Sequence, residues 1–158
     1  MITLISKVLE PLVSNILIIS SNPEYRFLGY PVYPDLLPDC GPAGGIYTGL
    51  FHSPTEKNLV LACDTPNLNT DFLQYLLLES ERSLITVPVS ADGIHPLCGF
   101  YSRTVLSEWK KKLQAGDRKM TEFLAHFNAK KMNLTQQVRF DAGFLLKNMN
   151  SREDLPEN

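Results

Sequence analysis

Residues Asn58-Leu59-Val60-Leu61-Ala62-Cys63-Asp64-Thr65-Pro66 constrain the fold more than any other stretch of the chain. A run of five apolar residues ends in small Cys63, and an acid and a residue held extended by the following proline come next. This pattern predicts a buried strand that delivers one carboxylate to its C-terminal edge. In open α/β sheets ligands bind in the crevice outside those carboxyl ends. Asp64 is therefore the first candidate for chemistry.

The rest of the sequence is compatible with such a sheet. Its 158 residues suffice for one domain with a single core, and 44% hydrophobic with 20% charged residues is a globular composition. A net charge of −2 gives no electrostatic footprint for nucleic acid, so no nucleic-acid partner is expected. Cys40, Cys63 and Cys98 are odd in number and widely spaced, the pattern of reduced thiols. The apolar stretch near Leu17–Ile19 follows Lys7, Glu10, Pro11 and Asn15, too broken for a membrane span or a signal peptide. No membrane partner is expected, and the default location is cytoplasmic.

Apolar residues at helical steps predict a helix through Ile2, Ile5, Leu9, Leu12 and Val13, then a strand over 16–19. Pro23 suits the first turn of a short helix, and Val32-Tyr33 a short strand. The turn formers of 38–45 lead into a helix carrying Ile46, Tyr47, Leu50 and Phe51. Strand 59–63 is followed by a helix with Thr70 as its expected N-cap. Strands over 84–89 and 95–101 flank Ala91-Asp92-Gly93-Ile94 and suggest a hairpin. Two further helices, through Trp109 and Phe123, precede an expected strand over 138–140. The alternation predicts an α/β fold: a Rossmann-like three-layer sandwich, its sheet mostly parallel with one antiparallel strand.

Several residues could carry chemistry, each with a plainer alternative. Asp64 is either a ligand for a hard cation such as magnesium (Mg2+) or an acid accepting backbone N–H bonds within its own turn. Asp35 follows a strand and has the same two readings. Gly41-Pro42-Ala43-Gly44-Gly45 opens a helix, where free N–H groups favour anions, yet Gly45 and Gly49 could equally serve close helix-to-sheet packing. The stretch is neither a P-loop nor G-x-G-x-x-G. His95 stands alone before Pro96, and Lys110-Lys111-Lys112 reads as a solvated helix face. Nucleophilic catalysis has no recognisable motif.

Together, Pro34-Asp35-Leu36, Gly41-Pro42-Ala43-Gly44-Gly45-Ile46, Leu61-Ala62-Cys63-Asp64-Thr65-Pro66, His95-Pro96-Leu97, Leu113-Gln114-Ala115-Gly116-Asp117-Arg118 and Asn148-Met149-Asn150-Ser151-Arg152-Glu153-Asp154-Leu155 resemble, in order, motifs of the molybdenum-cofactor guanylyltransferase (MobA-like) family. The resemblance covers essentially the whole chain. It implies a single nucleotidyltransferase-like domain over 1–158 that moves GMP from GTP to a molybdopterin-type cofactor and releases pyrophosphate. GTP and the molybdopterin cofactor are thus the implied partners. It further implies Mg2+ on Asp64 and nucleotide contacts from Asp35, Gly41, Pro42 and Gly44. Ser20 stands where the family often has a nucleotide-contacting asparagine. Asn148 and Asn150 match positions on the pterin side.

The sequence departs from the family at one place. Relatives begin with a strand and a glycine-rich loop that cradles the triphosphate, and nothing here matches either. Because that strand lies inside the family's sheet, its absence implies unpaired neighbouring edges. The expectation is a further upstream segment, or a strand supplied by another subunit in a homo-oligomer. Two alternatives stand beside guanylyl transfer: a catalytically impaired binding protein of the same family, and a related transferase using another nucleotide such as CTP.

Overall fold

The computed structural model describes residues 1–137 and 139–149. Helix α1 (Ile2–Leu9) stops early because Pro11 has no N–H with which to extend it. Strand β1 (Ile18–Ile19) pairs in parallel with β2 (Val32–Tyr33), across a 3-10 helix, Pro23–Leu28, capped by the Asn22 side chain. Helix α2 (Gly41–His52) then leads to β3 (Lys57–Leu61). Helix α3 (Thr70–Glu79) is capped by Asn69 rather than Thr70: the Asn69 side chain accepts from the Phe72 N–H at 2.9 Å.

Next come β4 (Ile85–Ser90), β5 (Gly93–Ile94) and β6 (Cys98–Ser102), and β4 and β6 form the expected hairpin partnership. Helices α4 (Leu106–Gln114) and α5 (Met120–His126) lead to β7 (Lys130–Asn133), and α6 (Ala142–Leu145) follows. The expected strand over 138–140 does not form at Arg139 and Phe140, and Val138 lies outside the described residues. Phe140 is instead buried in contact with the rings of Phe72 and Tyr75. Among the described residues no helix is long and apolar enough to cross a membrane.

The expectation of a mostly parallel sheet is corrected. One sheet holds β3, β6, β4, β5 and β7, and the other holds β1 with β2. Strand β6 pairs antiparallel with both β3 and β4, β5 pairs antiparallel with β4, and β7 pairs parallel with β4. Strands β3, β4 and β7 therefore share a direction, as strand–helix alternation requires. The reversed strand sits between β3 and β4 rather than at a rim, so it converts two central ladders. Gly99 makes that insertion feasible: a Cβ there would stand 2.9 Å from Thr86 O and 2.9 Å from Val87 Cγ1.

Helices cover both faces, giving three layers. On one face α2, α4 and α5 pack through Ile46, Leu50, Trp109 and Phe123 onto Ile85, Val87 and Tyr101. On the other, α3 and α6 pack through Phe72, Leu76 and Leu145 with Cys98 and Met132, joined by Leu9 of α1. The Trp109 indole N–H donates to Ala43 O at 2.9 Å, fixing α4 against the first turn of α2.

Candidate active site

Between the two sheets runs a groove of about 1260 Å3, walled by β1 and β3 and bordered by α1 and α2. Its rim gathers residues far apart in sequence. Ser20 follows β1, Asp35 follows β2, Gly41 and Pro42 begin α2, and Asp64 follows β3, and all of these line the groove. This is the carboxyl-end crevice expected from an apolar strand that ends at Asp64.

Asp64 is held in place by its backbone. Its C=O accepts from Met149 N–H at 2.7 Å, and Thr65 Oγ1 donates to Ala62 O at 3.2 Å, closing the turn without the carboxylate. The Oδ1 of Asp64 is buried with no hydrogen-bond partner among the described residues. A turn acid would spend that oxygen on a local N–H. A buried oxygen left unpaired is costly unless a ligand completes it.

Asp35 is exposed and is positioned through its neighbour. Leu36 N–H donates to Thr48 Oγ1 at 3.0 Å, and that hydroxyl donates to Gly44 O at 3.0 Å, so the post-strand loop is tied to α2. The Asp35 Oδ1 lies 3.7 Å from where a Cβ on Gly45 would stand. Gly41 sits at φ +55°, and no side chain caps α2. Among the described residues the Gly41 N–H in that first turn has no backbone acceptor, and Gly41 lines the groove, whereas Ala43 is fully buried away from it. The Gly41 N–H can serve an anion, aided by the helix dipole.

Other predicted residues divide cleanly. Gly44 does not line the groove; a Cβ there would meet Cys40 Cβ at 2.7 Å and Leu37 O at 3.1 Å, so it is a close-packing glycine. Gly49 packs toward Ile19, as helix-to-sheet packing requires. The Ser20 hydroxyl already accepts from Asn22 N–H at 3.1 Å, leaving its proton for a ligand. Asn148 is exposed and adjoins Met149, so the Met149–Asp64 bond brings it beside the site. Asn150 lies outside the described residues.

His95, alone before Pro96 in the sequence, is held by the end of β4. Its Nε2 lies 2.7 Å from Ser90 Oγ, and burial lowers its pKa from the ordinary value of 6.5 against the opposing pull of Asp92. Two residues on, Leu97 lines the groove, and its C=O accepts from Ala62 N–H at 2.7 Å. The link from Met149 to Asp64 has no signature in the sequence. It is made by backbone atoms, for which no residue type gives a signal. Among the described residues no three His, Cys, Asp or Glu side chains cluster as a metal-binding group. Any cation here would be held by one or two carboxylates plus water or substrate oxygen, the habit of magnesium rather than zinc.

Helices on both faces of a mixed sheet, with acids, a helix start and a groove at the carboxyl ends, define a nucleotidyltransferase-type α/β domain. Comparison with known proteins bears this out: the family profile "MobA-like NTP transferase domain" matches residues 1–132, and the chain belongs to that family. It is 40% identical over 146 residues to a Flavobacterium johnsoniae protein named "Probable molybdenum cofactor guanylyltransferase", covering 92% of this chain and 75% of that one. It is 33% identical over 150 residues to the "Molybdenum cofactor guanylyltransferase" of Syntrophotalea carbinolica, covering 92% and 71%. The crystal structure of molybdopterin-guanine dinucleotide biosynthesis protein A from Archaeoglobus fulgidus superposes with a TM-score of 0.72 at 22% identity, over 96% of this chain and 80% of that one. That last likeness speaks for the fold.

Proposed function

We propose that this protein transfers a guanylyl group from GTP to the terminal phosphate of a molybdopterin-type cofactor, releasing pyrophosphate. One observation carries the reading: the buried, unpartnered Oδ1 of Asp64 at the rim of a groove that also presents Asp35 and the start of α2. The names of the relatives supply the substrate class. A hard oxygen donor that nothing else satisfies fits magnesium, which takes few protein ligands and keeps water and phosphate oxygens around it. Asp64 would hold the ion, whose charge, when bound, offsets that of the phosphates.

The chain's own residues bind and orient. The N–H of Gly41, on the positive end of a 12-residue helix, favours a phosphate or another electron-rich group. The Asp35 carboxylate accepts hydrogen bonds alone, and guanine offers adjacent N–H donors. Ser20 keeps one hydroxyl proton to donate. The attacking phosphate is itself the nucleophile, so no protein nucleophile is needed, and positioning with charge neutralisation carries the rate. Asn148, beside the Asp64 turn, would contact the cofactor.

The test is calorimetric titration of GTP and of CTP with and without magnesium, on the natural sequence and on Asp64→Asn, followed by pyrophosphate release when the molybdopterin cofactor is added. The reading requires tighter GTP binding in magnesium, a preference for GTP over CTP, and loss of the magnesium effect in the variant. Equal affinity in magnesium and chelator would abandon it.

A further inference from the structure

Asp64 has neighbours on both sides of β3. Ser20, Asp35 and Gly41 lie across the groove, whereas β6 runs along the other edge of β3. The β3–β6 ladder sets Leu61 against Cys98, and Ala62 N–H donates to Leu97 O at 2.7 Å. Continued past the ladder, the same register brings Cys63 level with Pro96 and Asp64 level with His95. The chain there has turned toward β4: His95 N–H donates to Pro88 O at 2.9 Å, and Ile94 is paired with Val89. His95 therefore stands at the carboxyl ends of the strands, on the side of Asp64 away from the nucleotide residues.

Its ring is held in one tautomer. Ser90 is 5% exposed, and its hydroxyl accepts from Asp92 N–H at 3.1 Å. Among the described residues the only other hydrogen-bond partner of that hydroxyl is His95 Nε2, at 2.7 Å. A buried hydroxyl uses its proton where an acceptor is within reach. Ser90 thus donates to Nε2, and the imidazole carries its own proton on Nδ1. Burial keeps the ring neutral against the pull of exposed Asp92, which makes no hydrogen bond to it. Nδ1 has no partner among the described residues. A fixed, neutral N–H donor is left with nothing to donate to.

We propose that His95 is a catalytic residue whose Nδ1–H holds the attacking phosphate of the acceptor. This role rests on guanylyl transfer being the reaction. The acceptor phosphate must approach the α-phosphorus near Asp64 from the side that the nucleotide does not fill. A cation there would draw electron density from the nucleophile, whereas a neutral N–H orients it and leaves it reactive. The acceptor oxygen forms a bond to the α-phosphorus, and the bond from that phosphorus to the pyrophosphate oxygen breaks. The electron pair leaves with pyrophosphate, and no proton passes through the imidazole.

The tautomer is read first, by two-bond 15N–1H correlation NMR on the ligand-free protein at about pH 7.5, above the ordinary histidine range. The proton is expected on Nδ1; a proton on Nε2 overturns the proposal whatever the reaction is. Steady-state kinetics with the molybdopterin cofactor then compares two variants. In His95→Gln the amide replaces Nε2 and keeps Ser90 bonded, while the shorter amide of His95→Asn replaces Nδ1. His95→Gln should lower kcat/KM for the acceptor by about 10- to 100-fold, with GTP affinity by calorimetry unchanged. His95→Asn should lose clearly less, and if it does not fold, the tautomer and the Gln variant still decide. Equal losses, or a larger loss in His95→Asn, overturn the proposal, because a residue that merely packs on Ser90 behaves so. No pyrophosphate release by the natural sequence would remove guanylyl transfer and this role together. Normal turnover by both the natural sequence and His95→Gln would remove this role alone.

Discussion

The two halves of the sheet system meet the same requirement in opposite ways. Around β4 every edge is used: β6 lies on one side, β7 and β5 along the rest, and Ile85 and Val87 are fully buried beneath Tyr101 and Trp109. Around β1 and β3 each strand is paired on one edge, and the other edge looks into the groove. In the closed half backbone and side chains satisfy one another, so a change there is felt as lost stability. In the open half groups wait for something outside the described chain, and a change should be felt as lost binding.

Trp109 is the severest test of the closed half. It is fully buried, stacks 14° from coplanar with Phe127, meets Tyr101 edge to face, and donates to Ala43 O. Trp109→Ala is expected to cost about 3–5 kcal/mol, and it also removes the hydrogen bond to Ala43 O. Urea unfolding followed by circular dichroism measures it. A cost near that of a surface substitution would show that this half is not the stabilising one.

Asp64 tests the open half. Asp64→Ala should weaken GTP binding in magnesium by roughly 10- to 100-fold, or ~1.4–2.8 kcal/mol, the scale of a lost charge-assisted contact. Because the oxygen it removes has no partner among the described residues, the midpoint of thermal unfolding should hold or rise. A fall in stability with unchanged binding would return Asp64 to the role of a turn acid and erase the contrast.

Gly44 sits where the halves join. An alanine there places its Cβ 2.7 Å from Cys40 Cβ and 3.1 Å from Leu37 O, neither of which is the end of a flexible side chain. Gly44→Ala should cost about 1–3 kcal/mol, and should also weaken nucleotide binding by displacing the loop that carries Asp35. Chemical denaturation paired with the GTP titration checks both. Loss of binding alone would make Gly44 a contact residue instead.

How much of this was legible depends on what a sequence pattern encodes. Strand β3 and the placement of Asp64 at its end were readable, because an apolar run closed by an acid and X-Pro leaves few alternatives. The rim grouping of Asp35 and Gly41 followed from strand–helix alternation, which fixes direction. Alternation does not fix neighbours, so nothing in residues 95–102 announced that β6 inserts between β3 and β4. Strand β7 was invisible for a different reason. Met132 alone points inward between exposed Lys130, Lys131 and Asn133, too few apolar residues for a period of two. Phe140 misled in the opposite sense, apolar because its ring fills the core while its backbone is not in a strand.

His95 gives the smallest expected effect, and it probes the boundary between the halves from the pH side. Its Nε2 meets Ser90 Oγ at 2.7 Å, and Asp92 is the charged group acting on it. Burial, the larger influence, lowers the folded-state pKa below the ordinary 6.5. The folded protein therefore holds fewer protons than the unfolded chain once the pH drops to that value. Stability is fully present above 6.5 and declines as the pH falls through it, until the folded imidazole also protonates. Urea midpoints between about pH 7.5 and pH 5, above the main carboxylate range, should fall for the natural sequence and be flatter for His95→Gln. Because the imidazole is partly solvated, the difference should be smaller than the loss at Gly44. Parallel profiles would mean that this end of β4 is as open to solvent as the groove rim, and the closed half would then end before Ser90.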